Sequence, residues 1–223
     1  PSTEQNAAEV TNDDIVKFLN LDKQQNVYQA LETAKASLGN RTVNGKSLNV
    51  TAIDVLNSDE EKGTFTLRVT GNSGGKTFTK DVEYVGFAQK PNDYEIVSRA
   101  VAAWKTDVNY LKDFDFDTLY RLKDNSKLTA AYLQKFINLS SSSVGGSKHY
   151  TFTPADWANT TVSDVRYVGS STSGQVAFTI TYKGRKNSSV GVEMNKNEYY
   201  RNQIGVNTEE VSKLYMRGVY RNQ

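Results

Sequence analysis

Residues 63–87 read GTFTLRVTGNSGGKTFTKDVEYVGF, and this stretch decides the predicted fold. Phe65, Leu67 and Val69 alternate with polar residues, and Val82 and Tyr84 continue the alternation beyond a turn rich in Gly, Asn and Ser. Alternation with a period of two is typical of a strand with one buried face, and such a turn joins antiparallel strands. The stretch is therefore predicted to form a β-hairpin.

Helical patterns lie on both sides of the hairpin. Asn92 and Glu95 form a capping-box pattern, and apolar residues from Val97 to Leu111 recur at a spacing of about 3.6, which predicts one long helix over 92–111. The same periodicity predicts further helices over 12–21, 26–38, 126–139 and 207–216. Alternating apolar residues predict further strands over 150–152, 162–168, 176–182 and 190–194.

The two halves of the chain match each other at separate points. In the same order, the matching pairs are Lys17–Leu21 with Lys135–Leu139, Gly63–Val69 with Gly174–Ile180, and Asn92–Ile96 with Asn207–Val211. This pattern predicts an α+β fold of two similar repeats, each with helices packed on a small, mainly antiparallel sheet that contains a β-hairpin. The alternative is that unrelated α+β segments share amphipathic patterns. The predicted organisation is a flexible leader over 1–11, repeat 1 over 12–111, a linker over 112–127 and repeat 2 over 128–223.

The hairpin also suggests a family. Gly63–Val69 followed by Asp81–Phe87 resembles the lipoprotein-associated repeat of bacterial surface lipoproteins, in which a Gly-Thr-Leu-x-Val strand precedes a Lys- and Thr-rich strand that ends in Gly-Phe. Residues 162–182 resemble it without the closing Gly-Phe. The resemblance implies a surface-exposed protein that reaches the membrane only through an N-terminal lipid anchor absent from this chain. It implies no catalytic residue.

Composition excludes several classes of function. The 223 residues include 27 Lys and Arg, 25 Asp and Glu and no Cys, for a net charge of +2. Because these charges are scattered, no nucleic-acid partner is predicted, and the lack of Cys excludes disulfides and thiolate chemistry. The start at Pro1 and the abundance of Thr, Ser, Asn and Tyr lead us to expect an exported product, trimmed of its signal, at the cell surface or the periplasmic face of an outer membrane.

Catalytic and ion-binding patterns are incomplete. Residues 70–77 lack the first Gly of a phosphate-binding loop and precede a strand pattern. Asp113, Asp115 and Asp117 alternate as calcium ligands do, and the alternative is an extended linker in which Asp117 caps the next helix. His149 is the only histidine, which excludes a multi-histidine metal site. No cofactor is predicted, and a non-enzymatic role is favoured over the alternative, a carbohydrate-active or other hydrolase with a site between the repeats.

Aromatic residues of the second half are the predicted ligand-binding groups. They lie near Asn and Arg residues that can bond sugar hydroxyls, and aromatic faces give contact area at a low cost in conformational entropy. The candidates are Trp157, Tyr167, Tyr199, Tyr200, Arg201 and Tyr220. The alternative is that strand tyrosines pack a small core. The expected function is therefore an exported, lipid-anchored binding or structural module whose partner is a surface glycan or another protein.

Overall fold

A computed structural model describes residues 9–170 and 173–204, and this part of the chain contains helices and antiparallel sheets, which confirms the predicted α+β class. Its helices are α1 (Asn12–Leu19), α2 (Val27–Lys35), α3 (Asp93–Ser98), α4 (Tyr110–Asp113), α5 (Phe116–Tyr120), α6 (Ala130–Leu133), α7 (Pro154–Ala158) and α8 (Lys196–Ile204). Its strands are β1 (Gly39–Val43), β2 (Lys46–Asp59), β3 (Thr64–Ser73), β4 (Lys76–Tyr84), β5 (Val101–Trp104), β6 (Ile137–Ser142), β7 (His149–Thr151), β8 (Thr160–Gly169), β9 (Gly174–Tyr182) and β10 (Arg185–Glu193). No helix within these two ranges is long and apolar enough to span a membrane.

The chain divides into two compact units. Unit 1 comprises Pro1–Ile96 and Ser141–Thr153, and unit 2 comprises Val97–Ser140 and Pro154–Gln223. Each unit is therefore assembled from two separate segments of sequence. The compact units divide the chain by spatial contacts and not by position in the sequence. The ranges predicted for the leader, the linker and the two continuous repeats therefore stay predictions.

Unit 1 is built on the predicted hairpin, which is confirmed. β3 and β4 pair antiparallel, with Phe65 opposite Tyr84 and Leu67 opposite Val82, and the sheet has the order β1-β2-β3-β4. Both predicted helices before the hairpin are also present, as α1 and α2, and each begins with a capping box. They pack against the sheet around a core that includes Ile15, Phe18, Val27, Ala30, Leu48, Val50, Phe65, Leu67 and Val69.

The residue just before the first strand of the hairpin, Gly63, has to be a glycine. Its φ of +70° is left-handed, and a Cβ at this position would lie 2.3 Å from the carbonyl oxygen of Phe87. The Phe87 N–H donates to the Gly63 carbonyl at 3.2 Å, and the Phe87 ring packs 4.9 Å from that of Phe65. Any side chain at Gly63 would therefore separate the two ends of the hairpin.

Unit 2 contains a second antiparallel sheet, of order β10-β9-β8, and a pair of short strands, β5 with β6. β9 is central, and its residues Val176, Phe178, Ile180 and Tyr182 are buried. Helices α5, α6 and α7 contact β8, and α8 contacts α4. The strands predicted over 162–168, 176–182 and 190–194 are confirmed in this sheet, and β7 in unit 1 confirms the strand predicted over 150–152.

The long helix predicted over 92–111 is wrong. The helical turns stop at Ser98, and Val101–Trp104 form β5, which pairs with β6 so that Trp104 lies opposite Ile137. The helix predicted over 126–139 is confirmed only over Ala130–Leu133. From Ile137 onward buried and exposed residues alternate, because that segment is a strand.

The prediction of two similar repeats is not confirmed. The segment Lys17–Leu21 lies at the end of α1, whereas its match Lys135–Leu139 leads into the strand β6. By contrast, Thr64–Val69 and Gly174–Ile180 both belong to inner strands of their sheets, β3 and β9. For the third match, Asn92–Ile96 leads into α3, whereas Asn207–Val211 and the helix predicted over 207–216 lie outside the described residues.

Candidate functional site

Five aromatic rings from three elements of unit 2 form a cluster, which we call the tyrosine cluster: Phe116 and Tyr120 of α5, Tyr167 of β8, and Tyr199 and Tyr200 of α8. Phe116 and Tyr120 are four residues apart on one helix and stack at 5.4 Å with an interplanar angle of 8°. Their helix contacts β8, which places Tyr167 beside both rings.

Phe116 is the fully buried centre of the tyrosine cluster. The rings of Tyr167 and Tyr199 meet it edge to face, each at 5.2 Å between centroids. Tyr120 and Tyr167 also meet edge to face, at 5.2 Å. Edge-to-face pairs at these distances are favourable beyond the area that they bury. Tyr199 is buried, whereas Tyr120, Tyr167 and Tyr200 are half-buried, so the cluster has a packed base and an accessible side.

Two lysines surround the ring of Tyr120. The Lys196 ammonium donates to the Tyr120 hydroxyl at 2.8 Å and lies 5.1 Å from the ring centroid, and the Lys123 ammonium lies 5.0 Å from the same centroid. The hydrogen bond from Lys196 lowers the pKa of Tyr120 below its ordinary value; partial burial opposes this effect, and the charges of both lysines reinforce it. The accessible side of the cluster is therefore positively charged around Tyr120.

Asp117 fixes the orientation of Tyr200. The Tyr200 hydroxyl donates to Asp117 at 2.8 Å, and the Arg121 guanidinium donates to the same carboxylate at 2.9 Å. The hydrogen bond from Arg121 is the main cause that holds the pKa of Asp117 below its usual range. Burial, together with the hydrogen bond to Asp117, raises the pKa of Tyr200 to about 12, so this phenol is a neutral donor.

The structure brings together Tyr167, Tyr199 and Tyr200 of the predicted ligand-binding residues. Arg201 is exposed on α8, next to Tyr200 in sequence, and Trp157 is buried on α7 with 5% of its surface exposed. Tyr220 lies outside the described residues.

Sequence reasoning missed Phe116, Tyr120 and Lys196 as parts of this site. The spacing of Phe116 and Tyr120 by four residues was a signal that the two rings share a helix face. Nothing in the sequence indicated that this face would meet β8 and α8.

Two of the three calcium candidates, Asp115 and Asp117, are bound by other side chains, and the third, Asp113, is exposed. Asp115 caps α5 by accepting from the Thr118 N–H at 3.1 Å and forms an ion pair with Lys127. Asp117 is held by Arg121, and Asp113 is exposed at the end of α4. Within residues 9–170 and 173–204, no three His, Cys, Asp or Glu side chains are arranged to hold a metal ion. The cap of α5 is thus Asp115, where the sequence predicted Asp117.

One cleft of unit 2 lies along β8. It has a volume of about 490 Å³, between Asn125–Ala131 and Thr160–Val165. Asp164 is its only lining carboxylate, and the guanidinium of Arg166 lies 3.0 Å from that carboxylate. The pair of facing carboxylates that glycoside hydrolysis uses is therefore absent from the lining of this cleft.

The remaining motifs of the sequence have structural roles. Residues 70–77 form the end of β3, a turn and the start of β4, and this strand–turn–strand arrangement differs from a phosphate-binding loop, which requires a helix. His149 is exposed at the start of β7.

Comparison of this chain with protein-family models, with curated proteins and with solved structures gives no match.

Proposed function

We propose that this chain is a non-enzymatic binding module and that the tyrosine cluster is its ligand surface. The observation that supports this best is the fixed orientation of its half-buried rings. The hydroxyl of Tyr120 accepts from Lys196, that of Tyr200 donates to Asp117, and that of Tyr167 donates to the Ser170 carbonyl at 3.1 Å. Rings held in this way lose little conformational entropy when a ligand covers them.

The ligand that suits this surface is a surface glycan. The apolar face of a sugar ring can stack on Tyr120 or Tyr167, while its hydroxyls can bond the phenol oxygens and the remaining ammonium protons of Lys196. A catalytic role has less support, because the nearest carboxylate, Asp117, already accepts from both Arg121 and Tyr200. A protein partner at the same surface is the competing outcome of the test below.

Removal of one ring tests the proposal. Tyr120→Ala is expected to weaken binding to a responsive glycan at least about tenfold, because truncation of a central aromatic anchor costs about 2 kcal/mol or more and about 1.4 kcal/mol is a factor of ten. The measurement is a glycan array of bacterial surface polysaccharides followed by calorimetry with the best oligosaccharide. Tyr28→Ala is the matched control, since Tyr28 is a tyrosine of unit 1 that is 36% exposed.

Two results would count against the glycan. Equal affinity of Tyr120→Ala and the parent protein would contradict the assignment of the surface. If no glycan binds, and the parent protein captures a protein that Tyr120→Ala does not capture, the ligand of this surface is a protein and not a glycan.

We also propose that the protein is exported and held at the cell surface by an N-terminal lipid. The support is the resemblance of Gly63–Val69 and Asp81–Phe87 to the repeat of bacterial surface lipoproteins. A surface location agrees with a glycan ligand. Fractionation of cells that produce the full-length protein tests this, and a cytosolic pool would contradict it.

Duplication of one ancestral unit is a further part of the proposal. Its support is the match between Gly63–Val69 and Gly174–Ile180, of which Thr64–Val69 and Gly174–Ile180 lie on the inner strands β3 and β9. A close relative in which the second segment keeps the closing Gly-Phe would strengthen this hypothesis.

A further inference from the structure

Two ammonium groups lie around one ring of the tyrosine cluster. The Lys196 ammonium donates to the Tyr120 hydroxyl at 2.8 Å. The ammoniums of Lys196 and Lys123 lie 5.1 Å and 5.0 Å from the centroid of the Tyr120 ring. Since both distances are measured from one centroid, the two cations belong to the same small area of surface. A ligand that covers Tyr120 therefore meets at least one ammonium.

Neither ammonium forms an ion pair with a carboxylate in the part of the chain that the structure describes. Lys123 is exposed, whereas Lys196 is half-buried. The hydrogen bond to Tyr120 uses one proton of the Lys196 ammonium, and two protons remain for a ligand. A partly dehydrated cation without a counter-charge is unfavourable, so an anion that reaches Lys196 is stabilising.

The acidic side chains of α5 and of the turn after it do not supply this anion. Asp117 accepts from the Arg121 guanidinium at 2.9 Å. Asp115 forms an ion pair with Lys127. In the turn, Asp124 accepts from a backbone N–H at 2.9 Å. The negative charges of this segment are therefore already engaged.

Among the described residues, α8 and β8 add no unpaired carboxylate at the ring of Tyr120. On α8, Glu198 follows Lys196 by two residues, and side chains at this spacing do not face each other on a helix. Burial is the main cause that raises the pKa of Tyr110, and the charge of Glu198 adds to this effect. On β8, Asp164 pairs with Arg166 at 3.0 Å. The two lysine charges thus stay uncompensated.

We propose that the ligand of the tyrosine cluster is an acidic glycan, whose sugars carry carboxylate, phosphate or sulfate groups. The anionic group accepts from the two remaining protons of Lys196, and Lys123 attracts it through space. The sugar ring packs on the phenol rings beside these cations. This inference rests on the proposed function, because it specifies the chemistry of the glycan that the cluster binds.

Other ligands fit this surface less well. A neutral sugar would displace water from the ammonium groups and give them no counter-charge in return. A cationic ligand would be repelled by both lysines. Single-stranded nucleic acid also combines anions with rings that stack, but it needs a basic groove that follows its backbone, whereas the charges of this chain are scattered.

Matched pairs of glycans test the charge of the ligand. Each pair has the same sugar chain with and without its anion: oligogalacturonate and its carboxyl-reduced form, dextran sulfate and dextran, and phosphomannan before and after dephosphorylation. In calorimetry with the full chain, we expect the acidic member of at least one pair to bind about tenfold more tightly than the neutral member. Added salt should reduce this preference, because salt screens exposed charges. The pair with the largest ratio identifies the anion.

Variants separate the charge from the aromatic surface. Lys123→Gln should weaken binding of the acidic member about three- to fivefold and leave the neutral member unchanged, because it removes an exposed charge and no hydrogen bond to Tyr120. Tyr120→Ala should weaken both members. Lys186→Gln is the matched control, since Lys186 is an exposed lysine of β10, which β9 separates from β8. It should leave every affinity unchanged.

The possible results distinguish this inference from the proposed function. Equal affinity for both members of every pair, with weaker binding of both by Tyr120→Ala, would overturn the acidic glycan and leave the cluster as a glycan surface. Undiminished binding of the acidic member by Lys123→Gln and Lys196→Gln would also overturn it. Tighter binding of an oligothymidylate than of every acidic glycan would replace the glycan by a nucleic acid. Failure of every glycan to bind would overturn both proposals.

Discussion

Replacement of Phe116 by alanine is expected to destabilise unit 2 by about 3–5 kcal/mol and to abolish glycan binding. Phe116 is fully buried and contacts the rings of Tyr120, Tyr167 and Tyr199. Its removal leaves a cavity under the tyrosine cluster and withdraws the packing that orients those rings. The stability loss and the binding loss therefore have one cause.

Tryptophan fluorescence during urea unfolding measures this effect within unit 2. The chain has 2 tryptophans, and Trp104 and Trp157 both lie in that unit. Phe114→Ala is the matched control, because Phe114 is a buried phenylalanine of the same unit that contacts Trp104, Tyr132 and Phe136 instead.

Phe114→Ala should lose stability to a similar extent and keep its glycan affinity in the folded fraction. If both variants lose affinity equally at equal folded fraction, the tyrosine cluster has no special part in binding.

The contrast between the hairpin and the segment after it shows what local sequence can predict. The hairpin is specified by neighbours in sequence: two alternating strands, a turn rich in glycine, and the Gly63 conformation that brings Phe87 against Phe65. Each of these features has its partner within a short stretch. The pattern of residues 63–87 was therefore sufficient to predict the hairpin.

The segment 97–111 needed partners that are distant in sequence. Its apolar spacing suits a helix, yet Trp104 lies in β5 opposite Ile137, and its indole N–H donates to the Glu193 carbonyl at 2.7 Å. Asn187 likewise donates to the Val97 carbonyl. These contacts override the local helical preference, and no local periodicity could have indicated them.

The tyrosine cluster shows the same difference between features with nearby partners in sequence and features with distant ones. Tyr199 and Tyr200 were candidates because aromatic residues are concentrated in the second half of the chain, beside Asn and Arg residues. Tyr120 and Lys196 were not, because the hydrogen bond between them joins α5 to α8 across 76 positions of the chain. A site assembled from three elements becomes visible only when their packing is known.

Replacement of Asp14 by asparagine is expected to destabilise unit 1 by about 3 kcal/mol at neutral pH, because it breaks a buried ion pair. The Asp14 side chain is 1% exposed, and its carboxylate accepts from the Lys46 ammonium at 2.7 Å, the Thr11 N–H at 2.9 Å and the Asn44 amide at 2.6 Å. An asparagine amide has no charge to pair with Lys46, and its nitrogen would face a donor.

The stability that Asp14 provides should decrease as the pH falls. Burial by itself raises the pKa of Asp14, but the hydrogen bonds from Lys46, Thr11 and Asn44 outweigh it and hold this pKa well below its usual range. Below the ordinary aspartate pKa of about 4 the unfolded chain binds a proton that the folded protein does not. The stability that Asp14 provides is therefore complete above about pH 5 and is lost as the pH falls further.

Urea unfolding at several pH values, followed by the amide signals of Ile15 and Lys46, measures this dependence in unit 1. The deficit of Asp14→Asn relative to the parent protein should shrink as the pH is lowered from about 5 to 2. Asp13→Asn is the matched control, since Asp13 is 64% exposed and its ion pair with Lys17 spans 3.2 Å at the surface. Such a pair contributes about 0–1 kcal/mol, so the control should stay close to the parent protein at every pH. Equal behaviour of the two variants, or a deficit that grows in acid, would mean that the capping network of α1 does not depend on the charge of Asp14.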